Sequence, residues 1–205
     1  MPKKPGDTSP GRSRPRSTKT PAKQPAKTRL KKPAAKSARQ SSIALSLDCE
    51  AWESTLPEVE TLCRIAAEAA LDGAGVDLPP VYELSLVLTT DAEIRILNRM
   101  WRGQDKPTNV LSFPADMDIV PDDAPVLLGD VVVAFETTRR EVEEAKLAAT
   151  LSDHLSHLIV HGVLHLLGYD HEIDDEAEEM EQLEIELLAG LGIPNPYTDH
   201  ERRLD

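Results

Sequence analysis

The stretch SDHLSHLIVHGVLHLL, residues 152–167, leaves this chain the least freedom in how it folds. Its apolar run reads as a long helix, and a helix this apolar must be covered by the rest of the chain. It also carries histidines. His161 and His165 stand four residues apart, which on a helix places both imidazoles on one face, one turn from each other. Gly168 follows where a helix end takes a residue of positive φ, so the chain can turn there and bring His171 back toward the other two.

A lone histidine in an apolar helix is usually a satisfied core residue. Three at the spacing HxxxHxxxxxH, with a glycine in the turn, read as ligands, because burying three unpartnered imidazoles would be costly. Three neutral imidazoles favour one Zn²⁺ ion and leave a fourth position for water, the mark of a catalytic site. His154 and His157 extend the same face toward the helix start. His157 stands evenly between a supporting role beside the metal and a plain polar position, whereas His154 reads as a polar position. His200 carries no signal.

The spacing equals that of the metzincin proteases, HExxHxxGxxH, but Gly162 replaces the glutamate that would act as base. A peptidase would need a base from elsewhere, such as Asp170, which reads instead as orienting a histidine or fixing the turn. Phosphate esters ask for something different. Their transition state spreads negative charge over oxygens that a metal and a positioned cation can hold. Arg95, Arg99, Arg102 and Lys106 crowd into twelve residues, the three arginines on one face of a predicted helix. Arg95 and Arg99 read as a solvated face. Arg102 and Lys106 flank the loop GQDKPTNVLSF and read as phosphate contacts, since a guanidinium grips two oxygens at once.

Around this core the patterns alternate. Ile43, Leu45 and Leu47 keep the period of a strand; Pro57 opens a helical EVETLCRIAAEAALDGAG; YELSLVLT is a second strand. Thr90 and Glu93 form a capping box for the helix AEIRILNRMW, which stops at Gly103. TNVLSF and LLGDVVVAF read as strands three and four, the latter apolar on both faces. ETTRREVEEAKLAAT is a charged helix. DEAEEMEQLEIELLAGLG is an amphipathic one with Met180, Leu183, Leu187 and Leu188 on one side. The expected fold is α+β: a single domain over residues 43–205, a four-stranded mixed sheet packed against several helices.

Charge divides the chain. Residues 1–42 hold thirteen Lys and Arg against one acid, a formal +12; the remaining ten cations face thirty-five acids, a formal −25. The first segment is rich in Lys, Pro and Ser and has no aromatic residue, so it is expected to be a disordered basic tail, read equally as a holder of polyphosphate or as a solubilising extension with no specific partner. The acidic remainder repels RNA unless a local basic cleft or the tail overcomes it. Deleting 1–42 is therefore expected to weaken RNA or ribosome binding, most at low salt. No run reaches membrane-spanning length. Cys49 and Cys63, outside any CxxC motif, read as packed thiols of a reducing cytoplasm.

HGVLHLLGYDH resembles the signature of the YbeY family of bacterial metal-dependent endoribonucleases. WRGQDKPTNVLSFP, LLGDVVVAF and MEQLEIELLAGLGIPNPY are similar to that family in the same order, over roughly residues 43–198. The resemblance implies a zincin-like fold, zinc on His161, His165 and His171, and a functionally important arginine at Arg102. It also implies a single-stranded RNA substrate, the precursor of small-subunit ribosomal RNA, and a part in ribosome maturation and quality control. Two other functions are weighed against this one: a non-enzymatic, metal-containing ribosome-assembly factor, and, more remotely, a metallopeptidase.

Overall fold

The computed structural model describes residues 40–115, 125–144, 150–171 and 173–197. The basic tail up to residue 39 lies outside them, as does His200. The elements run β1 (Gln40–Leu47), α1 (Glu50–Thr55), α2 (Val59–Gly73), β2 (Val81–Thr89), α3 (Asp91–Arg102), β3 (Val110–Pro114), β4 (Val126–Ala134), α4 (Phe135–Glu144), α5 (Leu151–Leu166) and α6 (Asp174–Gly190). The four strands form one mixed sheet in the order β1-β2-β4-β3. β1, β2 and β4 are parallel, and β3 runs antiparallel to β4 at the sheet edge.

The apolar run of β4 has the burial such a pattern requires: Val131, Val132, Val133 and Ala134 are buried in succession. α5 lies across the sheet and packs against α2, β3, β4 and α6. Leu155, Leu158, Ile159, Val160, Val163 and Leu164 are all buried there. The long apolar helix is thus the centre of the core, and any side chain it turns toward its polar flank is held rigidly.

Four details depart from the sequence reading. β1 begins at Gln40, so three residues assigned to the tail belong to the sheet. α1 was not expected; it is too short to show a period, and it exists to bury Trp52, whose indole meets Phe135 edge-on at 5.0 Å between ring centroids. Phe135, read as the end of a strand, is the first residue of α4. At Thr90 the hydroxyl accepts from the Glu93 amide at 3.3 Å, but the reciprocal half of the box is not made. The complete box closes α5 instead: Thr150 accepts from the Asp153 amide, and its own amide donates to the Asp153 carboxylate.

Cys49 and Cys63 are both buried and free. Burial, with the Glu60 charge adding to it, pushes the Cys63 thiol up to about 12, so it is a packed side chain without nucleophilic character. Among the described residues no helix is long and apolar enough to cross a membrane.

Candidate metal centre

α5 ends in the turn that its glycine allows. The Gly168 amide donates to the His165 carbonyl at 3.0 Å and the Tyr169 amide to the Leu164 carbonyl at 3.1 Å, the paired bonds of a Schellman motif, with Gly168 at φ 90°. The Asp170 carboxylate then accepts from the His171 amide at 2.8 Å and fixes the next residue of the turn. The result is a cluster. Ring centroids are 4.6 Å apart for His161 and His165, 5.0 Å for His165 and His171, and 5.7 Å for His161 and His171. One nitrogen from each ring lies within 4.8 Å of the others.

Hydrogen bonds on the far side of the rings decide which nitrogens face inward. His161 Nδ1 donates to Glu184 Oε1 at 2.8 Å, and His165 Nδ1 donates to the Tyr169 carbonyl at 3.0 Å. Both partners are acceptors only, so each neutral ring carries its proton on Nδ1 and its lone pair on Nε2. Those two Nε2 atoms face each other at 3.1 Å. Two lone pairs at that distance repel unless a cation sits between them, and the spacing is slightly under the roughly 3.3–3.4 Å edge of a tetrahedron with metal–nitrogen bonds of about 2.0–2.1 Å. The donor set therefore fits a divalent ion. Burial, and after it the neighbouring His161 and His171, lowers the pKa of His165 below the usual imidazole value and keeps it unprotonated, as a ligand must be.

Glu184 is the residue that sequence reasoning missed. It lies on α6, only 1% exposed, in the row Met180, Glu184, Leu188 that faces the core. Besides His161 it accepts from His157 Nε2 at 2.7 Å and from the Tyr197 hydroxyl. Burial alone would raise its pKa; the hydrogen bonds from His157 and His161 win and hold it at about 2, so it is an anion. Burial and the Glu184 charge push the Tyr197 hydroxyl upward, so it remains a donor. An acid in an apolar stripe at helical spacing was the available signal. His157 is thus tied to the cluster through a shared carboxylate. His154 is more than a polar helix start: its Nε2 meets Glu141 at 2.8 Å, and Glu141 also accepts from Asn109 Nδ2 at 3.1 Å.

Gly162 has a steric reason. A Cβ there would stand 2.5 Å from Val131 Cγ1 and 3.1 Å from Ser112 Oγ, and the Ser112 hydroxyl already donates to the Gly162 carbonyl. α5 therefore sits too close to β3 and β4 for any side chain, and a glutamate base has no room.

The three histidines line a cleft of about 270 Å³ together with Arg102, Lys106, Asn98, Gln104 and the residues Thr108–Ser112. Arg102 and Lys106 thus share a cavity with the cluster. Arg95 does not: it clamps Asp105 with two bonds of 2.8 and 3.0 Å, and Asn98 Nδ2 holds the Lys106 carbonyl at 2.8 Å, so together they pin the loop after α3. Arg99 is exposed outside the cleft. Along β3 the register turns the amides of Val110 and Ser112 toward the open edge. Val110 gives its amide to Asn109 Oδ1 at 2.7 Å, and Pro114 has none. Ser112 is left as the outward N–H donor of this strand.

The chain matches the family model described as Endoribonuclease YbeY over residues 47–192. It is 54% identical to the Endoribonuclease YbeY of Paramagnetospirillum magneticum over 160 residues, covering 76% of this chain and 94% of the relative. It is 50% identical to the protein of the same name from a Bradyrhizobium species over 163 residues, covering 78% and 93%. A solution structure from Thermotoga maritima aligns with a TM-score of 0.47 at 25% identity, over 78% of this chain and 93% of that one.

Proposed function

From the premise that this chain belongs to the YbeY endoribonuclease family, we propose that it is a zinc-dependent endoribonuclease cutting single-stranded RNA, with His161, His165 and His171 as metal ligands and Arg102 as the catalytic cation. What supports this most is the single cleft that contains the histidine cluster, Arg102 and Lys106. A Zn²⁺ ion on the three imidazoles would supply a Lewis acid for a phosphoryl oxygen. Arg102 holds the scissile phosphate and stabilises the charge that develops on it, and Lys106 draws the neighbouring phosphate. The Ser112 amide offers a further donor at the cleft wall. Glu184 and the Tyr169 carbonyl keep the two helical imidazoles in the ligating tautomer.

The cellular substrate in this reading is precursor small-subunit ribosomal RNA, met on or near the small ribosomal subunit in the cytoplasm, where cleavage serves maturation and quality control. The test is cleavage of a defined RNA by the metal-loaded protein. Single-stranded RNA is cut and the same sequence in duplex form is not; metal-loaded protein that leaves the single strand intact overturns the proposal. The product ends decide the nucleophile. A 2′,3′-cyclic phosphate shows attack by the RNA's own 2′-hydroxyl, and a linear end formed directly shows attack by water.

A further inference from the structure

The chain has two tryptophans in opposite surroundings. Trp52 is fully buried, whereas Trp101 is 69% exposed, next to Met100 at 67%. α3 buries the face that carries Ile94 and Asn98, and Trp101 stands off that face with most of its indole in water. Yet the ring is held: it packs against Phe113 with centroids 5.9 Å apart and planes at 60°, leaving most of its surface open. Its position is specific. The residue after Trp101 is Arg102 and the residue before Phe113 is Ser112, and both of these line the metal cleft. Trp101 itself is not among the lining residues; it lies beside the cleft, next along the chain to Arg102 and packed on Phe113 on the α3 side of β3.

The charge around it suits a polyanion. Arg99, Arg102 and Lys106 lie within five residues of Trp101, in a part of the chain whose formal charge, these three included, is −25. An exposed aromatic ring braced on a second ring and flanked by cations is the arrangement on which bases of single strands stack. Duplex bases already stack on one another and cannot offer a face. We infer that Trp101 is a stacking platform for a nucleobase of single-stranded RNA flanking the phosphate held in the metal cleft. This rests on the ribonuclease reading and adds the subsite that selects unpaired strands.

Because Trp52 is enclosed, the change in intrinsic fluorescence on binding reports on Trp101. The full metal-loaded chain is titrated with a 2′-O-methyl hexanucleotide, single-stranded or annealed to its complement, while anisotropy of a dye on the oligonucleotide follows binding. The single strand quenches the emission and the duplex does not. Trp101→Phe abolishes the quenching and keeps binding within a few-fold; Trp101→Ala binds about ten-fold more weakly at unchanged melting temperature. Binding without quenching, or Trp101→Ala binding as tightly as wild type, overturns the platform while leaving RNA cleavage by wild type as separate support for the ribonuclease reading. A wild-type chain that neither binds nor cuts RNA overturns both. Emission that changes on dilution of the protein alone assigns the ring to contact with a second copy and overturns the inference.

Discussion

The two walls of the cleft are built by different means. The histidine wall rests on buried chemistry: α5 is the centre of the core, and Glu184, 1% exposed, locks His157 and His161 from behind. The cationic wall is a surface device, in which exposed Arg102 ends α3 and exposed Lys106 stands on the loop after it, a loop pinned by the Arg95–Asp105 pair and by Asn98. A metal site needs ligands fixed to a fraction of an ångström; packing and hydrogen bonds do this for His161 and His165, and the turn held by Gly168 and Asp170 places the exposed His171. A cation that meets a flexible polyanion needs reach and charge, which solvent exposure preserves. Damage to the two walls should accordingly be distinguishable.

The widest separation comes from one substitution in each wall. His165→Ala removes a ligand, and bound metal and RNA cleavage are lost together, the rate by about 10³-fold or more. Arg102→Glu leaves the metal content at wild-type level and lowers cleavage by about 10²-fold. Metal analysis beside an RNA cleavage assay reads both, and an arginine variant that cuts at full rate removes Arg102 from its assigned role.

Glu184→Gln sharpens the comparison within the buried wall. The amide has one oxygen, so it cannot accept from His161 on one side and from His157 and Tyr197 on the other; with the oxygen kept for that pair its NH2 meets His161 Nδ1, the support of His161 weakens, and metal affinity measured by competition with a chelator falls about 10- to 100-fold. Unchanged affinity would reduce Glu184 to packing. Gly162→Ala tests the close approach of α5 to the sheet. Its methyl group meets Val131, and unfolding monitored by circular dichroism should show a loss of about 1–3 kcal/mol, while Arg102→Glu, on the exposed wall, melts within about 0.5 kcal/mol of wild type.

The contrast between the walls also explains what could be read in advance. His161, His165, Gly168 and His171 were legible because helical spacing and one glycine turn are local rules. The four strands were legible because alternation and β-branched runs are local too. Glu184 was hidden in a stripe read as apolar, since only the packing of α6 on α5 shows that its carboxylate meets two histidines. Tyr169 was hidden for a similar reason: its carbonyl orients His165, while its hydroxyl reaches the Ala74 carbonyl at 2.7 Å across the fold. α1 gave no period in six residues, and its purpose, burying Trp52 against Phe135, lies in a partner far along the chain. Trp101 was passed over as part of a helix, because exposure is a property of the folded surface.

The most direct measurement strips the protein of metal with a chelator and titrates Zn²⁺ back while recording bound ion and single-stranded RNA cleavage on the same samples. Cleavage returns in proportion to bound zinc and saturates at one ion per chain, and none returns in His165→Ala. Full-rate cleavage by the metal-free chain, or activity restored without bound zinc, would contradict this dependence.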